Sequence, residues 1–269
     1  MKKALIILFL FIATQIVAFC LGMVLQKLWG LSAGVDPIFQ GIGLLVCEVL
    51  LLVVLTATGL VRSHPFVPVR LRSRWALALV LPGVLLVALG LSLLLEPLML
   101  DDGGQTALFD AMKDEPLCLF LLCVAGPLVE EYVFREGIQR QLTLRGLHPV
   151  GAAAVAALVF ALVHGNLAQA LPAALLGFLL GLLYVRTGDI RLSLPAHILN
   201  NSLAMLFLFR PDLEVSLTPL DLTSQLLLGA LLLLAGVGLV VLSWPRLRLA
   251  GGSPPPTDRP AAGPHSQTS

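Results

Sequence analysis

Three short polar patterns interrupt apolar stretches of this 269-residue sequence. In chain order they read Glu130-Glu131-x-x-x-Arg135, Phe160-x-x-x-His164 and His197-x-x-x-Asn201. An ionisable group at the centre of a bilayer costs about 2.5–3.5 kcal/mol on insertion scales, so such groups are retained mainly where they serve a function. We therefore treat the three patterns as one candidate site.

A peptidase in which a glutamate activates water would use four of these residues. Burial in apolar surroundings favours the neutral form of a carboxyl group, which makes Glu130 a suitable base for a proton of water. His164 would orient the water and return a proton to the leaving amine. His197 and Asn201, four residues apart on one helical face, would donate hydrogen bonds to the oxyanion of a tetrahedral intermediate.

The remaining polar residues of the patterns are predicted to support the site. Glu131 and Arg135 are four residues apart with the glutamate first, which is the favourable orientation for an ion pair on a helix. Glu130 then points about 100° away around the helix and is free for chemistry. Phe160, one turn before His164, is assigned to support as well.

A zinc site is the first alternative. Glu130, His164 and His197 could serve as three ligands with one open position for water. The sequence has no H-E-x-x-H pattern, and the second histidine is paired with an asparagine, which is a poor zinc ligand. We therefore expect no metal and no cofactor.

A protein without catalytic activity is the second alternative. A transporter with a proton relay, or a membrane protein that binds a hydrophobic peptide, would also place polar groups in a cavity. Asn201, one turn after His197, favours the protease, because a proton relay gains nothing from an asparagine.

Composition places the whole chain in a membrane. Hydrophobic residues make up 58% of the sequence and charged residues 12%, whereas soluble domains carry roughly 25% charged residues. The mean hydropathy is +0.95. A net charge of +1 without a basic cluster gives no electrostatic footprint for nucleic acid. These values exclude a soluble globular protein.

Eight apolar segments predict an all-α, polytopic membrane helical bundle. They cover about residues 4–25, 38–61, 75–95, 116–133, 149–166, 168–185, 192–209 and 224–243. We expect one domain over residues 1–243, with its motif-bearing core at about 116–205. Residues 244–269, rich in Pro, Gly and Ser, are predicted to form a disordered cytoplasmic tail.

The basic residues predict the orientation of the bundle. With eight spans, all but three of the 17 Lys and Arg residues fall on the side of the N-terminus, the exceptions being Lys27, Lys113 and Arg210. Because basic residues accumulate in cytoplasmic loops, both termini are expected in the cytoplasm.

The depth of the candidate residues can be compared along the helices. Glu130 and His164 lie equally far from a turn near Leu147, at about 25 Å if each residue rises 1.5 Å. His197 lies only about 13 Å from its own turn. The three residues lie at the same depth if the hairpin of the fourth and fifth segments projects roughly 10 Å further into the cytoplasm than the next turn. The polar stretch REGIQRQLTLRG in that hairpin would allow such a projection.

The three patterns, in this order on three membrane helices, resemble the CPBP family of Abi-like membrane proteins. This family unites type II CAAX prenyl endopeptidases with bacteriocin-processing and related bacterial intramembrane proteases. The resemblance implies a glutamate base at Glu130 with His164 as its partner, and oxyanion stabilisation by His197 and Asn201. Glu48, another acid in an apolar segment, lies outside the family pattern and outside the predicted site.

The resemblance also implies where the protein acts and on what. We expect a multi-pass protein of a bacterial inner membrane that hydrolyses a membrane-associated or lipidated peptide or protein. Its partners would be that substrate and the lipid bilayer.

Overall fold

The computed structural model describes residues 1–31, 34–62, 74–210, 212–213 and 221–247. These residues form helices and turns, with no strand among them, so the predicted all-α class is confirmed. In chain order the helices are α1 (Lys2–Leu28), α2 (Pro37–Ala57), α3 (Arg74–Leu95), α4 (Gln105–Met112), α5 (Pro116–Leu144), α6 (Pro149–Leu162), α7 (Leu167–Thr187), α8 (Ile190–Phe209) and α9 (Leu222–Ser243).

Seven helices in the described ranges are long and apolar enough to cross a membrane, rather than the eight predicted. The exception is α6, whose 14 residues cover about 21 Å, less than the roughly 30 Å of a hydrocarbon core. It ends early because Gly165 turns the chain with a φ of +75° and Asn166 caps the start of α7 through a bond from the Gln169 backbone N–H. The protein is a multi-pass integral membrane protein.

The predicted tail lies outside the described residues after position 247. Its first residues are described: Trp244–Arg246 form a 3-10 turn, and Leu247 is fully buried. Arg186 donates a hydrogen bond to the Trp244 carbonyl (3.1 Å). The packed part of the chain therefore extends past α9.

Helix α5 is interrupted by two π-helical segments. They span Leu121–Ala125 and Glu131–Gln139. In such a segment each N–H bonds to the carbonyl five residues earlier, as the Gly126 N–H does with the Leu121 carbonyl. The wider turn advances less per residue than an α-helix, which brings Glu130 closer to the turn after α5 than an α-helical count gives.

The first part of the stretch REGIQRQLTLRG, which the sequence would allow to project into the cytoplasm, is packed among the other helices. All residues from 131 to 139 are buried. Their polar groups have protein partners: Gln139 Nε2, for example, donates to the Gly181 carbonyl (2.9 Å), and Gln141 Nε2 to the Leu60 carbonyl (3.1 Å). Since these groups are satisfied inside the bundle, they require no contact with water.

An ion pair between the partly exposed Arg62, five residues after the end of α2, and the buried Glu136 ties this part of the chain to the middle of α5. Arg62 Nε donates to Glu136 Oε2 (2.8 Å), and Arg62 Nη2 donates to the Gly188 carbonyl (2.7 Å). The Tyr184 hydroxyl donates to Glu136 Oε1 (3.0 Å). The fully buried Glu136 carboxylate is thus neutralised and hydrogen-bonded, as a buried charge must be.

Glycines allow two pairs of long helices to pack closely. A Cβ at Gly43 of α2 would lie 2.5 Å from the Ala18 carbonyl oxygen of α1, and one at Gly236 of α9 would lie 2.6 Å from the Gly83 oxygen of α3. Small residues at such positions are the usual means by which helices associate in lipid. One apolar core lies around α1, α2, α5 and α6, and a second lies around α3, α7, α8 and α9.

Candidate active site

The two adjacent glutamates have different surroundings. Glu130 ends a short α-helical stretch of α5, and Glu131 begins the second π segment. The side chain of Glu130 is 25% exposed, whereas that of Glu131 is 0% exposed. Of the two, only Glu130 is therefore open to a water molecule or a substrate.

His197 of α8 lies between these two carboxylates. Its Nδ1 is 3.1 Å from Glu131 Oε1, and its Nε2 is 3.4 Å from Glu130 Oε2. The imidazole is therefore held from both sides, in the way that a histidine is oriented by a carboxylate in other hydrolytic sites. The sequence prediction had placed His197 among the oxyanion donors and did not foresee its contact with either glutamate.

The second oxygen of Glu131 is also occupied. Ser193 Oγ donates to Glu131 Oε2 (2.5 Å), and Arg135 Nε lies 3.5 Å from the same oxygen. The pairing of Glu131 with Arg135 is the one that their four-residue spacing predicts. With a cation and two further hydrogen-bonding groups around it, Glu131 is held as an anion that fixes the ring of His197.

The ring of Phe160 joins the three polar patterns. Its centroid lies 4.7 Å from that of His164 and 5.9 Å from that of His197, both in edge-to-face geometry. The Arg135 guanidinium lies 5.5 Å from the same ring. A Cβ at Gly177 of α7 would lie 3.0 Å from the Phe160 ring, so a residue without a side chain is needed behind it.

The hydrogen bonding of His164 defines its tautomer. Nδ1 lies 2.7 Å from the Phe160 carbonyl oxygen, and because a carbonyl can only accept, Nδ1 must carry the proton. In the neutral ring, Nε2 is then an acceptor. The Phe160 ring that packs against His164 also contacts His197, which links His164 to the residues around Glu130.

Asn201 has a structural partner that the sequence did not reveal. Its Nδ2 donates to the Leu122 carbonyl (3.0 Å), and its Oδ1 accepts from Asn200 Nδ2 (3.1 Å). The Leu122 carbonyl has lost its backbone donors, because the Gly126 N–H bonds one residue earlier in the π segment and Pro127 has no N–H. One amide N–H of Asn201 compensates for this defect, and one remains.

The structure thus brings the predicted residues together and adds Ser193 to them. Glu130, His164 and His197 are joined by direct contacts or through Phe160, while Asn201 contacts α5 one helical stretch before Glu130. Sequence reasoning missed Ser193. Its position four residues before His197, on the same helical face, was the available signal.

The same site contains the three side chains that the sequence suggests as alternative zinc ligands. Within the described ranges, no three His, Cys, Asp or Glu side chains come together in an arrangement that could hold a metal ion. The zinc ligand set of Glu130, His164 and His197 therefore does not fit this geometry, and no chemical step is derived through a metal.

Comparison with known proteins identifies the region that carries this site. Residues 113–203 match the family described as Rce1-like, type II CAAX prenyl endopeptidase Rce1-like. The match includes all three polar patterns and the helices that bear them. No curated protein and no solved structure matches the chain.

Proposed function

From the match of residues 113–203 to the Rce1-like family of type II CAAX prenyl endopeptidases, we propose that this protein is an intramembrane endopeptidase of the glutamic type. The family supports a CAAX-type protease within a membrane-embedded helical protein. Our proposal adds the residues and the mechanism. The observation that carries it is the pairing of an exposed glutamate with a sealed one across the ring of His197.

Glu130 is the proposed general base. It is the exposed acid of the pair, and His197 Nε2 faces it at 3.4 Å. The Nε2 atom of His164 accepts a hydrogen bond from the attacking water and so orients it. As the water oxygen bonds to the scissile carbonyl carbon, one of its protons moves to Glu130. General bases of this kind contribute about 10²–10⁴-fold to rates.

Oxyanion stabilisation falls to His197 and Asn201 in this proposal. Glu131 holds the His197 ring at Nδ1, so the donor to the oxyanion would be an N–H at Nε2, which must turn from Glu130 Oε2 (3.4 Å) toward the substrate. Asn201 has one amide N–H left after its bond to Leu122. Donors that are fixed before the reaction stabilise developing charge without reorganisation. The tetrahedral intermediate then collapses when a proton reaches the leaving nitrogen.

The proposed substrate is a membrane-associated or lipidated peptide or protein. The proposed location is a bacterial inner membrane with both termini in the cytoplasm, which requires that α6 crosses the membrane together with the seven longer helices. Seven candidate spans support the membrane setting. The family supports a peptide or protein substrate in a lipid bilayer. We further propose that the reaction uses no metal, which is supported by the lack of a ligating cluster in the described ranges.

Peptide cleavage by the purified full-length protein in lipid nanodiscs tests this function. The substrates would be a farnesylated C-terminal peptide and its unlipidated counterpart, each carrying a fluorescent reporter. We expect Glu130→Gln and His164→Ala to lower kcat/KM by about 10²–10⁴-fold. His148→Ala, at an exposed histidine just before α6, is the matched control and should retain full activity.

Two results would contradict the proposal. Full cleavage by Glu130→Gln would remove the base from the mechanism. Loss of wild-type cleavage with phenanthroline, restored by added zinc, would replace the proposed mechanism with a metal-dependent one.

A further inference from the structure

Glu48 of α2 is a buried acid that the mechanism above does not use. The residue is 5% exposed, and its Oε2 atom is sealed from solvent without a hydrogen-bond partner. No ion pair involves Glu48 in the described part of the chain. A charged carboxylate is very costly in such a place, so burial strongly favours the neutral carboxylic acid.

Contacts between α2 and α5 place Glu48 beside the site. The Cβ of a residue at 41 would meet Leu117 and Leu121, and Gln141 Nε2 donates to the Leu60 carbonyl. The two helices therefore run parallel. Glu48 follows Gly41 by seven residues, or about two turns, and so lies on the same face of α2.

Interpolation between these two contacts gives the level of Glu48 along α5. Glu48 lies beside the part of α5 that precedes Glu130 by no more than about one helical turn. In keeping with this level, α2 also contacts the α-helical stretch Gly126–Glu130 of α5. Glu130 thus has His197 on one side and the carboxyl group of Glu48 near it.

We propose that Glu48 is the acid of the site: it holds a proton before water is attacked and gives that proton to the leaving nitrogen. The inference rests on the proposed peptidase function and assigns its missing proton donor. His164, to which the sequence patterns assign the return of this proton, holds its Nδ1 proton in the bond to the Phe160 carbonyl, and Glu130 starts as a base. Glu48 is the nearby group whose surroundings favour the protonated form.

The proposed proton transfers balance over one turnover. As water adds to the carbonyl carbon, one water proton passes to Glu130. As the C–N bond breaks, the Glu48 proton passes to the nitrogen, giving a free amine and a carboxyl product. The proton on Glu130 then moves to Glu48, which restores both groups to their initial states.

The test compares Glu48→Gln, Glu48→Asp and wild type in nanodiscs with the two fluorescent peptides named above. Glutamine has the size and burial of glutamate but cannot release a proton. We expect Glu48→Gln to lower kcat by about 10²-fold or more with little change in KM and in melting temperature. Glu48→Asp should recover part of kcat. Glu96→Gln, at an exposed glutamate after α3, is the matched control.

Infrared difference spectroscopy provides a readout that does not depend on cleavage. The wild-type protein at neutral pH should show a protonated-carboxyl band that Glu48→Gln abolishes and Glu130→Gln retains. A band that disappears only in Glu130→Gln, or an unchanged kcat in Glu48→Gln, would overturn the proposal. If wild type cleaves neither peptide, the peptidase function fails, and the band still reports whether Glu48 holds a proton.

Discussion

Glu130 and Glu131 are chemically identical side chains whose neighbours differ. Glu131 has Arg135, Ser193 and His197 around its two oxygens. Among the described residues, Glu130 has His197 as its one close polar contact, and it remains partly exposed. In our proposal this contrast separates a positioning carboxylate from a reacting one. Substituting Glu131 would therefore act on the reaction through His197.

Ser193→Ala provides the test at this scale. The change removes the hydroxyl that donates to Glu131 Oε2, and a hydrogen bond to a charged group contributes about 1.5–3 kcal/mol to stability. We expect a loss of unfolding free energy in that range. We also expect a lower kcat with KM unchanged, since Glu131 would hold His197 less firmly. Both are measured on the protein in nanodiscs.

The control for this change is Ser92→Ala, which alters an exposed serine of α3. It should leave unfolding and cleavage at wild-type values. A Ser193→Ala protein with wild-type kcat would show that the hydroxyl is not needed to position His197.

Spacing within one helix made some of these contacts predictable. Glu131 and Arg135 are one turn apart, so their pairing follows from helical geometry. The contact between Glu131 and His197 joins two helices, and its register depends on how α5 and α8 are offset. An α-helical count gave a mismatch of about 10 Å between the levels of Glu130 and His197, and no residue pattern indicated the π segments that shorten α5.

At the scale of elements, the first π segment of α5 leaves one backbone carbonyl without a backbone donor, and a side chain of another helix replaces that donor. The Leu122 carbonyl has no backbone donor, and Asn201 of α8 supplies one. The same asparagine is a proposed oxyanion donor. A single substitution at this position therefore changes both packing between two helices and chemistry.

A double-mutant cycle with Pro127→Ala separates these two effects. An alanine at 127 provides an N–H that can reach the Leu122 carbonyl in the π register. We expect Asn201→Ala to lower the free energy of unfolding by about 1–3 kcal/mol in the wild-type background and by clearly less in the Pro127→Ala background. The loss of kcat caused by Asn201→Ala should be the same in both backgrounds.

Chemical denaturation and peptide cleavage of the four proteins measure this cycle. An equal stability loss in both backgrounds would mean that the Leu122 contact contributes nothing. Recovery of kcat by Pro127→Ala would mean that Asn201 acts only by supporting α5.

At the scale of the whole molecule, close helix pairs frame the site. Helices α3 and α9 approach at Gly83, Gly90, Gly229 and Gly236, where an added Cβ would meet backbone atoms of the partner helix. In lipid, packing at such small residues drives association, because burial of apolar surface from water is not available between spans.

Gly236→Leu tests the importance of this approach. The new side chain would meet the Gly83 oxygen at 2.6 Å and the Val87 nitrogen at 2.7 Å, so α3 and α9 must separate. Overpacking of this kind costs typically about 1–3 kcal/mol. We expect a lower melting temperature, with less protein recovered as a monodisperse species.

Gly238→Leu is the matched control, because it lies on the same helix with nothing within 4 Å of its Cβ position. Its melting temperature should equal that of the wild type. An unchanged melting temperature in Gly236→Leu would contradict the close approach of α3 and α9.

Sequence reasoning located all eight apolar segments but misjudged where several of them end. The fourth was predicted over 116–133, whereas α5 continues to Leu144. The fifth was predicted over 149–166, whereas α6 ends at Leu162. Apolar residues continue to Val163, so hydropathy alone gave no stop. The turn at Gly165 and the cap at Asn166 decide the end of the helix, and they place His164 in the connection to α7.

The π segment at Glu131–Gln139 has a further consequence for how this region can vary among sequences. A helix that already departs from α-helical register can gain or lose one residue by changing its hydrogen-bond pattern locally. Such a change would rotate Glu136 relative to Arg62 but leave the segment before Glu131 in place. A length difference just after Arg135 would therefore alter how α5 is fastened to Arg62, while Arg135 and the reactive end of the helix keep their positions.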